Sequence, residues 1–365
     1  MKYIFRENES YIADLFSFPG MIHYKEEDAS KNDENYFDLI SESSKSVMRE
    51  MYELILPYKE KVLPFYYEAS ADHDFIQLVS MKNPIMGHAR FEDYLDKLLE
   101  LSDDTLLHDV LFALEYYDQD TGEEDSEETE RKVQELLKDP RGIMPWLNSL
   151  SIGSDAKWHL LSFTQAPKKT LEAFMELIRE INPVFRGFYS RHEAEIISFG
   201  HDFIRRLGEI EGDGLSAVSN GIVTENLLQS EEMDMVISLV NAFAVMLNAA
   251  HVKPYISWGY EIEKIFAAIT AKEENRIQER VLLFKNFGDK TRYEVMMNIA
   301  RGITSTKIIA KNLDVTSATV SYHLNNLVTA KLIYLEQHEG RYTYKVNADF
   351  IEECVVELRK DLLLS

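Results

Sequence analysis

Residues 302–324 read GITSTKIIAKNLDVTSATVSYHL and carry the clearest local signal in the chain. Ser305 or a neighbouring threonine can cap a short first helix, because hydroxyl side chains accept hydrogen bonds from the first helical amides. Asp314 can adopt the left-handed backbone conformation that short polar side chains tolerate. Thr316 or Ser317 can cap the next helix. The stretch therefore predicts a helix, a tight turn and a second helix.

The second predicted helix has an apolar face and a polar face. The apolar residues fall on one side at helical spacing: Val320, Leu324, Leu327 and Val328. We expect the polar residues to point outward: Ser317, Thr319, Ser321, Tyr322, His323 and Asn326. Such hydroxyl, phenol, imidazole and amide groups suit the DNA major groove and form a poor catalytic set. Together with Thr316, they are the candidate DNA-binding residues of this segment.

A two-stranded hairpin is predicted after this helix. Residues 332–335 and 342–346 have the composition of strands and flank the sequence QHEGR at 337–341. Gly340 supplies the turn, and Arg341 is the exposed cation beside it. Arginine at such a tip contacts phosphate or enters the minor groove. The hairpin therefore predicts a wing.

These features together resemble the ArsR-type winged-helix repressors, over about residues 278–346. The resemblance rests on LFK at 283–285 leading into GDxTR at 288–292, then TVSxHL at 319–324, and EGR at 339–341 followed by Tyr344. The sequence departs from the family pattern at three turns, where Lys290 replaces the common Pro and Asp314 and Lys331 replace Gly. The resemblance implies a winged helix-turn-helix that binds duplex DNA. It also suggests that residues 349–364 and part of 272–287 pair two chains, because the terminal helices of the family do so.

The resemblance does not carry over metal sensing. Metal-responsive members place Cys on the helix before the recognition helix, or Asp and His on the last helix. Here residues 307–313 contain neither Cys nor His, and residues 349–364 contain no His. The single cysteine, Cys354, has the spacing of a packed face, which predicts core or a dimer seam. We expect no metal site and no cofactor.

Charge is distributed unequally along the chain, whose formal net charge is −24. Residues 1–270 carry 25 basic and 50 acidic residues, and residues 271–365 carry 14 and 13. A near-neutral DNA reader beside an acidic body attracts DNA weakly, so few phosphate contacts are expected. The candidates for these contacts are Lys290, Arg292, Lys307, Lys311, Arg341 and Lys345. Weak binding by one copy predicts a homodimer on a pseudo-palindromic operator with half-sites about one helical turn apart.

The expected fold class is mainly α, with a large helical domain at 1–271 and the winged helix-turn-helix at 272–365. Amphipathic stripes at 47–55, 91–99 and 171–181 support the helical domain. Residues 235–257 are too uniformly apolar to show a period, and 235–240 and 254–257 could be short strands. Residues 260–287 fit either one continuous helix or two helices with a bend.

The role of the first domain stays open at the level of the sequence. Sensing of a small-molecule effector is the first hypothesis, a protein-interaction domain the second and a dimer interface the third. For the whole protein we expect a DNA-binding transcriptional regulator in the cytoplasm, since the sequence has no membrane-spanning segment or signal peptide and no enzyme motif. The alternative is a protein-interaction module that keeps the winged-helix shape without specific DNA binding.

Overall fold

The computed structural model describes residues 1–24, 40–67, 73–118, 126–150, 152–225, 231–248, 251–273, 276–338 and 341–363. For 126, 269–273, 276–279, 337–338, 341–342 and 361 it describes the backbone only. The chain divides into two compact units. The larger consists of Met1–Asp118, Ser126–Val218 and Ser230–Ile265, and the smaller of Gln119–Asp125, Ser219–Gln229 and Phe266–Ser365. The sequence-based boundary at 271/272 lies a few residues beyond this division.

The larger unit is mostly helical, as predicted. Its helices include α1 (Glu7–Ser17), α2 (Glu42–Ile55), α3 (Lys59–Val62), α4 (Phe75–Lys82), α5 (Phe91–Leu99), α6 (Asp103–Asp118), α7 (Ser126–Lys138), α8 (Ile143–Ser149), α9 (Ser154–Gln165), α10 (Pro167–Tyr189), α11 (Glu193–Glu209) and α12 (Gly214–Ser219). Short 3-10 helices occur at Phe18–His23, Leu56–Tyr58 and Pro140–Gly142. The predicted stripes lie in α2, α5 and α10, and every apolar residue of the α10 stripe is buried: Leu171, Phe174, Met175, Ile178 and Ile181.

A four-stranded sheet lies within this helical unit. Its strands are β1 (Lys2–Phe5), β2 (Glu232–Ser238), β3 (Val245–Asn248) and β4 (Tyr255–Gly259), in the order β1-β2-β4-β3. The first three in this order are parallel, and β3 is antiparallel to β4. The two short strands that the sequence left open are therefore present. Every residue of β4 is buried, which explains the lack of an alternating pattern there.

The two faces of this sheet differ in chemistry. On one face, Trp258 packs against Phe203 of α11 with ring centroids 4.7 Å apart. The same helix approaches β1 so closely at Gly200 that a Cβ there would overlap the ring of Phe5. The opposite face carries polar side chains on β2, β4 and the edge strand β3: Ser238, Tyr255, Ser257 and Asn248.

Two helices, α13 (Ile262–Glu273) and α14 (Arg276–Gly288), lead into the smaller unit, and residues 274–275 between them lie outside the described residues. The unit continues with α15 (Lys290–Ala300), α16 (Thr306–Leu313), α17 (Ser317–Thr329), β5 (Ile333–His338), β6 (Arg341–Val346) and α18 (Ala348–Asp361). Strands β5 and β6 pair antiparallel. This is the predicted helix-turn-helix followed by a wing. Its core includes Leu283, Val295, Ile309, Leu324 and Cys354, so the packed position predicted for the cysteine is confirmed.

Candidate nucleic-acid interface

The helix-turn-helix is built by local hydrogen bonds that the sequence predicts. Ser305 Oγ accepts a hydrogen bond from the Ile308 amide at 3.3 Å and caps α16. Asp314 ends this helix with a left-handed backbone at φ +56°. Thr316 Oγ1 then accepts a hydrogen bond from the Thr319 amide at 3.1 Å and caps α17. The predicted caps and turn are confirmed, and they fix where α17 begins.

One side of α17 is accessible along the whole helix. Thr316 is exposed at its N-terminus, and Ser317 and Thr319 are partly exposed in the first turn. Further along, Ser321 and Tyr322 are partly exposed. These five predicted residues are therefore accessible to a ligand outside the domain.

Two predicted residues of α17 do not lie on the accessible side. His323 and Asn326 are each only 6% exposed, so the expectation that they point outward is wrong. The reason is that α17 packs against α15, α16 and β5, and these partners cover more than the apolar stripe alone. His323 and Asn326 thus belong to the interior of the domain, and neither is in a position to meet a base edge.

Asn325 is a further candidate, which the polar pattern of the sequence does not single out. Its side chain is exposed, and it shares a face with Ala318, Ser321 and Tyr322 at spacings of three and four residues. Asn325 follows Ser321 by four residues and Tyr322 by three. This spacing is the signal in the sequence that could have identified Asn325. A side-chain amide at this position can donate to and accept from one adenine in the major groove.

Arg292 does not lie on the surface where a phosphate contact would need it. The residue is 5% exposed, and its Nη1 donates a hydrogen bond to Asn286 Oδ1 at 2.7 Å. Asn286 is itself fully buried and donates to the carbonyl of Leu282 at 2.9 Å. Asp289 caps α15 and sets Arg292 in the first turn, from which its side chain reaches α14. The expectation that Arg292 contacts DNA is therefore corrected, because its guanidinium is held inside the domain.

The other predicted cations differ in accessibility. The Lys290 side chain is 88% exposed, and its Nζ lies 3.9 Å from Glu294 Oε1. Lys307 and Lys311 are exposed on α16. On the wing, Lys345 forms an ion pair with Glu336, and this hydrogen bond raises the pKa of Lys345. Arg341 begins β6, and its side chain lies outside the described part of the structure.

A second surface of this unit is apolar. Helices α14 and α18 pack against each other, and each also has exposed apolar side chains. These side chains are Val281 and Phe284 on α14 and Val355, Val356, Leu362 and Leu363 on or after α18. Such a set on two adjacent helices is typical of a surface that meets another protein.

Comparison with known proteins gives one match. Residues 289–334 match the family model described as "Bacterial regulatory protein, arsR family". The helix-turn-helix of this chain is therefore similar to that of the arsR family. The match runs from the cap of α15 to the start of β5, so the resemblance is confirmed for this segment, while the N-terminal region matches no family model. No curated protein and no solved structure matches the chain.

The ArsR-family helix-turn-helix supports a DNA-binding transcription regulator. Within the described ranges, no helix is both long and apolar enough to cross a membrane. In the same ranges, no group of three or more His, Cys, Asp or Glu side chains is arranged to hold a metal ion.

Proposed function

We propose that the protein is a homodimeric repressor that reads a pseudo-palindromic operator through α17 and responds to a non-metal effector through its N-terminal unit. The observation that carries this proposal is the accessible polar face of α17. Ser321, Tyr322 and Asn325 follow one another on that face at helical spacing, and no large apolar residue interrupts them. A major groove accepts one helix, and polar side chains on its outer face read base edges.

We expect two kinds of contact with DNA, one to base edges and one to phosphates. Tyr322 and Asn325 are the candidates for base contacts, because they lie on the exposed central part of the helix. The candidates for phosphate contacts, which fix orientation without reading sequence, are Lys290, Lys307, Lys311 and Arg341. With Arg292 inside the domain and Lys345 paired to Glu336, few cations remain per copy, which favours the use of two copies.

The exposed apolar surface of α14 and α18 supports the dimer. Val281 and Phe284 would leave water together with Val355 and Val356 of the neighbouring helix if a second copy covered them. Burial of apolar area gains about 25 cal/mol per Å². Two copies related by a twofold axis would present two α17 helices to successive major grooves.

Repression, effector response and location are the further parts of the proposal. Repression is inferred from the resemblance to ArsR-type repressors. The effector hypothesis follows from the size of the N-terminal unit, which exceeds what a dimerisation arm needs. We assign no enzymatic activity, and we propose a cytoplasmic location because a regulator of this kind must reach DNA.

A second candidate function is a protein-interaction module that retains the winged-helix shape. The burial of Arg292 and the ion pair of Lys345 favour it, because both remove positive charge that DNA binding would use. The two functions predict different responses to salt, since phosphate contacts release counterions and protein contacts of this size do not.

The full-length protein can be tested with a random pool of duplex oligonucleotides. We expect selection of a pseudo-palindrome whose half-sites are about one helical turn apart, with affinity that falls steeply with salt concentration. Recovery of no preferred sequence, together with salt-independent association, would instead support the interaction module.

A further inference from the structure

The larger unit contains a cavity on the polar face of its sheet. It lies between α1, α4 and strands β2, β3 and β4, and it holds about 40 Å³, room for about three water molecules or a few non-hydrogen atoms of a ligand. The residues that matter for its chemistry are Phe16, Asp74, Ser80, Asn248, Tyr255 and Ser257. None of them belongs to the proposed DNA-binding surface.

Ser257 is the first sign that the cavity is a binding site. It lies in the middle of β4 and is 3% exposed, at a position where a central strand ordinarily carries a large apolar side chain. Its side chain lines the cavity. A hydroxyl in this position can hydrogen-bond to a polar ligand in the cavity.

Asp74 is the second sign, because it gives the cavity a single carboxyl group. Its side chain caps α4 by accepting a hydrogen bond from the Gln77 amide at 3.2 Å. Burial raises the pKa of Asp74 to about 7, in spite of the hydrogen bonds from the Gln77 and Ile76 amides. Among the described residues that line the cavity there is no Lys, Arg or His. The carboxylate therefore has no cationic partner inside the cavity.

We propose that this cavity binds the ammonium group of a small organic amine. A carboxylate attracts the cation, the hydroxyls of Ser257 and Tyr255 can accept its hydrogen bonds, and the aromatic ring of Phe16 lines the same cavity. An anionic ligand is disfavoured, because it would meet a carboxyl group with no compensating cation. The inference extends the proposed effector role but does not depend on DNA binding.

Three probes of similar size and different charge test the proposal. They are ethanolamine, which is a cation, ethylene glycol, which is neutral, and glycolate, which is an anion. Ligand-observed NMR titration of the full-length protein measures dissociation constants up to the millimolar range. We expect ethanolamine to bind at least about tenfold more tightly than the other two, which is the effect of one charge-assisted contact.

Two variants locate the binding. Asp74→Asn keeps a helix-capping side chain, so α4 should remain folded, and it should weaken ethanolamine binding by about tenfold or more. Ser257→Val should abolish binding, because the larger β-branched side chain fills the cavity and suits a strand. Asp155→Asn is the matched control, since it removes the same charge from an exposed position outside the cavity. It should leave binding unchanged.

The outcomes separate this proposal from the proposed function. Equal binding of all three probes, binding of none of them, or undiminished binding by Asp74→Asn would overturn the amine site. Those results would not contradict the proposed DNA binding, which is measured separately with oligonucleotides on the same preparation. Conversely, a failure of the protein to bind DNA would not contradict a positive result with ethanolamine.

Discussion

Arg292 Nη1 donates a hydrogen bond of 2.7 Å to Asn286 Oδ1, and both side chains are buried. This bond joins α15 to α14, so it links the helix that precedes the helix-turn-helix to the exposed apolar surface. We expect Arg292→Met to lower the free energy of unfolding by about 1–3 kcal/mol, because Asn286 loses its partner in the interior. Urea unfolding of the full-length protein measures the change.

Lys290 lies two residues before Arg292, and its side chain is exposed where that of Arg292 is buried. Lys290→Met should change stability by no more than about 0.5 kcal/mol, because its side chain is exposed. It should reduce the slope of DNA affinity against salt by about one phosphate contact. If Arg292→Met lowered the salt slope without loss of stability, Arg292 would be a DNA contact after all.

The sequence predicts the helix-turn-helix well because the signals are local. The caps at Ser305 and Thr316 and the turn at Asp314 each depend on residues at most three or four positions away. The outward face of α17 was only partly predicted. His323 and Asn326 are buried in a helix that packs against α15, α16 and β5, and helical periodicity contains no information about such partners.

For the N-terminal unit, the sequence predicts only the mainly helical fold class. Its helices follow from amphipathic stripes, but β1 pairs with β2 across a long stretch of chain, Lys2 opposite Glu232. No local pattern predicts a pairing at that separation. The sequence does not predict the cavity for the same reason, since the residues that line the cavity come from α1, α4 and three strands.

Lys331 has a left-handed backbone, with φ +56°, at the end of α17. The amide of Leu332 donates to the carbonyl of Leu327 at 2.9 Å, the hydrogen bond that closes a helix with glycine in this position. We expect Lys331→Gly to stabilise the domain by about 1 kcal/mol, because glycine adopts this conformation without steric cost. Thermal unfolding measures the gain. Lys331→Ala is the control and should give none, since alanine keeps the strained Cβ.

His251 should make stability depend on pH. Burial lowers its pKa to about 4, whereas the unfolded chain takes up the proton near 6.5. Between these values the unfolded state binds more protons than the folded state, so stability is present above pH 6.5 and is lost as the pH falls. The loss from His251 between pH 7 and pH 5 should be about 2 kcal/mol.

The variant His251→Phe isolates this contribution. Phenylalanine keeps the edge-to-face ring contact with Tyr255 and cannot take up a proton. Urea unfolding at both pH values should show a smaller loss of stability on acidification in the variant than in the natural protein. An identical loss in the two proteins would mean that His251 is protonated equally in the folded and unfolded chains.

The apolar surface of α14 and α18 predicts a dimer that a single charge disrupts. Phe284→Glu and Val355→Glu should each shift the protein from dimer to monomer in sedimentation velocity, because a carboxylate would be buried without a partner. DNA affinity should fall with the loss of the second half-site. Val252→Glu, at an exposed apolar position of the other unit, is the control and should remain a dimer that binds DNA. Dimers in all three variants would place the interface elsewhere.

Neighbouring asparagines test the DNA-reading surface most directly, because Asn325 is exposed and Asn326 is buried. The measurement is selection of duplexes from one random pool by the natural protein and by Asn325→Ala. The account predicts that Asn325→Ala loses about 1–3 kcal/mol of discrimination at one base pair in each half-site and keeps the natural stability. Unchanged base preferences in Asn325→Ala, or a folded Asn326→Ala that loses them instead, would contradict it.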